Sequence, residues 1–311
     1  MPNWKDVLGR VQAIGSACDV VRREAIARLS EVTERNVIVY YSGWLQKPEL
    51  IRRGVAGFDI NDADKNGFMA TINGLDRRKG LDLVLHTPGG EIAATESLVH
   101  YLRQMFGTDI RAIVPQIAMS AGTMIACSCK AILMGKHSNI GPIDPQFGGI
   151  PAHGIVEEFE RARREIAEDP STIPVWQPII AKYHPTLIGE CEKAIKWSET
   201  MVREWLLSGM LADLPKKEAK KIADRVVEEL GSHALTLSHS RHLTREQARH
   251  IGLVVINIEK PNDLQDAILT VHHACILSLQ SSMAFKIIEN QNGAAHILQA
   301  QPVLHMPDGS A

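Results

Sequence analysis

Two short turns place the residues of this chain that could do chemistry. The first is His86-Thr87-Pro88-Gly89-Gly90-Glu91, at the end of the apolar run Leu81–His86. The second is Met119-Ser120-Ala121-Gly122, whose serine comes 30 residues after Gly90. A helix that opens at such a turn leaves its first N–H groups without intrahelical partners. A serine hydroxyl between small residues, facing backbone N–H donors, is what acyl transfer through a covalent intermediate requires. Ser120 is therefore the candidate nucleophile. The backbone N–H groups of Gly89 or Gly90, together with that of Ala121, are candidate oxyanion donors. The plainer readings are an ordinary helix N-cap for Ser120 and a strand-to-helix turn for Gly89-Gly90; the small residues around Ser120 and the turn 30 residues earlier favour the nucleophile.

Other reactive-looking groups carry less. Asp62–Gly67 (DADKNG) begins like a calcium loop, but Asn73 stands where a bidentate Glu is needed. Asp62 reads better as the N-cap of the helix that follows. His86, His137, His153 and His184 lie near the two turns and read as structural or exposed. His233, His239, His242 and His250 lack zinc-ligand spacing, and no metal is expected. The five cysteines form no CxxC pair. Cys127 and Cys129 fall in an apolar helix and read as buried thiols.

The elements around the turns are written in the hydrophobic pattern. Residues 3–33 have apolar positions at helical spacing, and Asn36–Tyr41 reads as a buried strand. A short helix over Asp62–Asn73 leads to strand 81–86, helix 91–106, strand 111–115, helix 121–129 and strand 130–134. Strands alternating with helices imply a parallel sheet covered on both faces, an α/β fold. Helices are expected over 153–168, 186–208 and 215–230. Residues 169–185 hold four prolines and read as an irregular surface excursion. Thr244 and Gln247 predict a capping box for helix 244–251, ahead of strand 253–258. A final helix is expected over 262–289, then a polar tail over 290–311. The domain reading is an N-terminal helix (1–35), a core (36–259), and a C-terminal helix with tail (260–311).

Composition narrows the class. The chain has 311 residues, 45% hydrophobic and 5% aromatic, with a formal net charge of −2. Interspersed charge of both signs argues against nucleic-acid binding. There is no run of about 18 apolar residues and no signal-peptide apolar core, so neither a membrane span nor export is expected. A cytoplasmic location follows. The apolar surface of helices 3–33 and 262–289 predicts a homo-oligomer.

LVLHTPGG, MSAGTMIA and SNIGPIDPQ together resemble the Clp-protease/crotonase superfamily, in the branch with signal peptide peptidase A. Within it the chain most closely resembles the serine dehydrogenase proteinase family. LPKKEAKKIAD (Leu214–Asp224) and HLTREQARHIGLVV (His242–Val255) extend the resemblance, which covers about residues 36–259. It implies a spiral of β-β-α units that assembles into trimers, tetramers or larger rings, and a serine peptidase acting on peptides or unfolded protein without a cofactor. It maps the nucleophile onto Ser120 and the oxyanion donors onto Gly89 or Gly90 and Ala121. Clp subunits place their histidine base where this chain has Asp144-Pro145-Gln146. Signal peptide peptidase A uses a lysine; Lys182, which follows an apolar segment and precedes helix 186–208, is the first position that answers to it, and Lys193 is the runner-up. Asp144 is either a third group or a turn residue. Two alternatives share the fold: a crotonase-like acyl-CoA enzyme, for which Glu91 is the carboxylate beside the hole, and a catalytically weak oligomeric scaffold.

Overall fold

A computed structural model describes residues 18–231 and 241–300. Residues 3–17 of the helix expected over 3–33, His233, His239 and the tail from residue 301 lie outside these residues. In chain order the first half runs α1 (Cys18–Thr33), β1 (Asn36–Ser42), α2 (Pro48–Arg52), α3 (Asp64–Ile72), β2 (Leu81–His86), α4 (Ile92–Phe106), β3 (Ile110–Val114), β4 (Ile117–Ala118), α5 (Ala121–Cys127), β5 (Ala131–Met134) and β6 (Asn139–Ile140). A small hairpin, β7 (Gln146–Phe147) and β8 (Ile150–Pro151), leads to helices α6 (Ala152–Glu168), α7 (Ile173–Ile180), α8 (Leu187–Ser208) and α9 (Lys216–Gly231). The chain closes with β9 (Leu243–Thr244), α10 (Arg245–Ile251), β10 (Val255–Asn257), α11 (Asn262–Ser281), β11 (Ala284–Asn290) and β12 (Ala295–Gln299).

The main sheet has the order β10-β5-β3-β2-β1-β11-β12. It is parallel from β10 to β1. β1, β2 and β5 are buried along their whole length, as strands covered on both faces must be. Leu98, Leu102, Met124, Val202 and Val226 bring α4, α5, α8 and α9 onto one face. Val21, Ile26, Ile268 and Val271 bring α1 and α11 onto the other. A second, small sheet, β4-β6-β9, stands beyond the main one and is bridged to it where Thr87 pairs with Ala118. This is the Clp protease/crotonase-like spiral expected from the sequence.

Four expectations are corrected. The helix expected over 262–289 ends at Ser281, and 284–290 is a buried strand antiparallel to β1. With β12 it makes the sheet mixed and takes in the start of the expected tail. Phe285, Ile287 and Ile288 lie in a short apolar run, which fits either period. Secondly, among the described residues α1 and α11 pack apolar side chains against each other and the sheet, so these faces are not left uncovered as expected. Thirdly, 169–185 contains a 3-10 turn (Pro170–Thr172) and α7. Pro170 and Pro174 fall in first turns, where the missing N–H costs nothing. Fourthly, Asp62 does not cap α3; its N-cap position is Ala63, with no side-chain capping bond. The capping box of Thr244 and Gln247 is present, and Cys127 and Cys129 are buried free thiols.

Candidate active site

Ser120 occupies the N-cap position of α5, yet its side chain makes no capping hydrogen bond. Its backbone has φ +47° and ψ −114°, a region that L-residues other than Gly avoid at a cost of about 1–3 kcal/mol. Neighbouring bonds hold it there. The Met119 N–H donates to the Thr87 carbonyl at 3.0 Å, and the Gly122 N–H to the Met119 carbonyl at 2.8 Å. The Thr123 hydroxyl donates to the Ala118 carbonyl at 2.9 Å and accepts from the Gly141 N–H at 3.0 Å.

The Gly-Gly turn is fixed from two sides. The Gly89 N–H donates to the Thr87 hydroxyl at 3.1 Å. Ile60 forms a one-residue parallel bridge to Gly90. Its N–H donates to the Gly89 carbonyl at 2.8 Å, and its carbonyl accepts from the Glu91 N–H at 2.9 Å. In such a bridge the central residue turns its own N–H away from the partner. The N–H groups of Gly90 and Ala121 take no part in these bonds. Gly89 lies against Ser120, and Gly90 sits so close to Ile60 that a Cβ would come 2.2 Å from its carbonyl oxygen.

Ser120 and Gly90 open on a cavity of about 760 Å³. Ile92, Met124, Ile143, Phe147 and Trp197 give it an apolar wall; Asp59, Glu91 and Glu190 add carboxylates. Lys193 is the one cation among the described lining residues. Its Nζ donates to Glu190 at 3.0 Å, in an exposed ion pair. Lys182 is exposed in the turn after α7 and does not line the cavity. Asp144 is buried between the lining residues Ile143 and Pro145 and does not line it either. The structure thus gathers Ser120, Gly89, Gly90, Ala121 and Lys193, and leaves Lys182 apart.

Among the described residues no histidine lines this cavity. His86, the last residue of β2, is wholly buried, and burial pushes its imidazole down to about 3. It packs on Trp44 and Tyr41 at ring separations of 4.5 and 5.2 Å. His272, also driven well below the ordinary range by burial and then by nearby His86, meets the Tyr41 hydroxyl at 3.2 Å. Among the described residues no group of three His, Cys, Asp or Glu side chains could hold a metal.

Sequence reasoning missed two contributors. Asp59-Ile60 reaches the Gly-Gly turn from a stretch without local pattern. Lys286 is buried in β11, where its Nζ donates to Asp64 and to the Asp59 carbonyl. A lone lysine inside the apolar run AFKIIEN was the available signal.

The profile of the ClpP-like SDH-type serine proteinases matches residues 19–272. The chain belongs to that family. An uncharacterised protein of Methanocaldococcus jannaschii, MJ0137, is 29% identical over 196 residues, covering 63% of this chain and 60% of that protein. A second from the same organism, MJ1495, is 30% identical over 175 residues, covering 56% of this chain and 51% of that protein. The chain therefore spans about half to three-fifths of the length of these curated relatives. Two solved structures of a 1510-N membrane-bound stomatin-specific protease are also similar. One, a serine-to-alanine variant, gives 19% identity and a TM-score of 0.37 over 67% of this chain and 79% of that one. The other, a lysine-to-alanine variant with a substrate peptide, gives 19% and 0.39 over 78% and 83%. Among the described residues of this SDH-type family member, no helix is long and apolar enough to cross a membrane.

Proposed function

We propose that this chain is a serine peptidase whose nucleophile is Ser120. One observation carries the reading: the Ser120 hydroxyl is held at a strained backbone position, without a capping bond, beside the Gly-Gly turn and at the edge of the cavity. A plain N-cap serine has neither the strain nor the idle hydroxyl.

In the proposed reaction Ser120 Oγ bonds to the carbonyl carbon of a peptide, and its proton passes to a lysine amine. The carbonyl oxygen becomes an oxyanion facing the N–H groups of Gly90 and Ala121. Gly90 is favoured over Gly89 because the Gly89 N–H is already given to Thr87. The C–N bond then breaks, and the leaving amine takes the proton from the lysine. Water repeats the sequence on the acyl-enzyme. Lys193 is favoured over Lys182 as base because it lines the cavity. A lysine acts as base only as the neutral amine, so Lys193 must leave Glu190 and be dried by bound substrate or by a second subunit. Asp144 is assigned a structural part in the GPIDPQ turn. The substrate is an extended peptide or unfolded protein, and the working form a homo-oligomer in the cytoplasm, a reading that rests on membership of a ClpP-like family rather than on the faces of α1 and α11.

A fluorophosphonate probe tests the reading directly. Labelling at Ser120, lost together with peptide hydrolysis in Ser120→Ala, is the expected result. An unlabelled Ser120 in folded protein, or hydrolysis undiminished in the variant, rejects it. A crotonase-like enzyme or a scaffold would not label.

A further inference from the structure

Lys286 is a buried charge that the peptidase reading leaves unused. It lies in β11, in register with Ser42 of β1, and its side chain is fully buried. Nζ donates to Asp64 Oδ1 at 2.7 Å, to Asp64 Oδ2 at 3.0 Å, and to the Asp59 carbonyl at 2.7 Å. The Tyr40 hydroxyl donates to Asp64 Oδ2 at 2.7 Å, and the Asn61 N–H donates to the same oxygen at 3.1 Å. Asp64 thereby binds Tyr40, Lys286 and Asn61 into one knot. Lys286 extends that knot to the backbone of Asp59.

The knot sits in a part of the site that has no regular structure. Between α2 and α3, residues 53–63 form no helix or strand beyond the bridge residue Ile60. Ile60 follows Asp59 and precedes Asn61, so both of its neighbours are held by the knot. Ile60 in turn grips Gly89 and Glu91, on either side of Gly90. A loop can hold a reactive N–H in place only if something rigid holds the loop.

We infer that Lys286 is a positioning residue for the reaction: through the Asp59 carbonyl and Ile60 it fixes the Gly90 N–H toward the cavity. The inference rests on the peptidase reading of the site. Stability alone does not call for this lysine. An apolar pair of similar volume commonly serves a core as well as a buried ion pair does. An apolar side chain would leave the Asp59 carbonyl without this donor and the loop without its anchor.

The test removes the charges in pairs. Lys286→Met alone strands Asp64 as a buried carboxylate and is expected to lose stability as well as activity. The double variant Lys286→Met/Asp64→Asn removes both charges and keeps an oxygen for the Tyr40 and Asn61 donors; it is expected to regain thermal stability while kcat stays about 10- to 100-fold down, with KM near the wild-type value, because a misplaced donor acts on the transition state. Fluorophosphonate labelling of Ser120 should slow by the same factor. Deuterium exchange at the Ile60 and Glu91 amides should quicken about tenfold or more, since their shared ladder loses its anchor. Wild-type kcat in a stable double variant overturns the inference. So do unchanged Ile60 and Glu91 exchange rates, and that readout stands even if the wild-type protein proves not to be a peptidase. Should this pair not fold, the apolar pair Lys286→Met/Asp64→Leu takes its place, and the same two results, in kcat and in amide exchange, uphold or overturn the inference.

Discussion

A Cβ placed on Gly89 would lie 2.7 Å from the Cβ of Ser120. The two turns that the sequence separates by 30 residues are thus in contact at the backbone. Gly89 also has φ +110°, where any other L-residue is strained. Gly89→Ala should therefore lower stability by about 2 kcal/mol or more and displace Ser120 from the turn. Denaturant unfolding and fluorophosphonate labelling check the two effects. Unchanged stability would mean that the turns can part without cost.

Ser120 itself should be a position where activity and stability oppose each other. Its φ of +47° is strained for serine and open to glycine. Ser120→Gly is expected to raise stability by about 1 kcal/mol, the relieved strain less the extra chain entropy of glycine. Ser120→Ala should stay within about 0.5 kcal/mol of wild type, because no capping bond is lost. Both should abolish labelling. Thermal melts of the three proteins rank them; a clear loss of stability in Ser120→Gly would show that the hydroxyl has a structural partner.

The sequence made the run from β2 to β5 legible because each strand is a short apolar block and each helix follows a small-residue turn. Leu81–His86 was placed to the residue, and Ser120 at its turn. The capping box of Thr244 and Gln247 was legible for the same reason: it is local chemistry at fixed spacing. What could not be read depends on distant partners. β11 looks like the continuation of a helix until β1 is there to pair with it. Ile60 belongs to the site only because Gly90 lies beside it. The apolar segment before Lys182 pointed to it ahead of Lys193, but that segment leaves Lys182 itself exposed. The cavity separates them, and the cavity is made by α8 crossing over the turns.

The lysines can be told apart by activity. Lys193→Ala should cut kcat about 100-fold or more, the usual worth of a general base. Lys182→Ala should leave turnover near wild type, since Lys182 is exposed away from the cavity. Lys193→Arg should not rescue, because a guanidinium does not give up its proton. Steady-state kinetics on a fluorogenic peptide distinguishes these outcomes. Full activity in Lys193→Ala with loss in Lys182→Ala would move the base to Lys182, reached from another subunit.

Below neutral pH the stability should fall through His86. Its folded-state value is pushed down to about 3 by burial, from an ordinary value of 6.5. Between those values the unfolded chain takes up a proton that the folded chain refuses. Unfolding is therefore favoured as pH drops, and the contribution of the neutral imidazole is complete only above the unfolded value. From pH 7 to pH 5 this one residue should remove about 2 kcal/mol. His272, lowered mainly by burial and further by His86, acts with the same sign. Replacing His86 by Phe keeps an aromatic ring between Tyr41 and Trp44 and deletes the titration. Melting temperature measured at pH 7, 6, 5 and 4 should then fall less steeply in His86→Phe than in wild type. Equal slopes in the two proteins would show that His86 accepts its proton without unfolding the turn it supports.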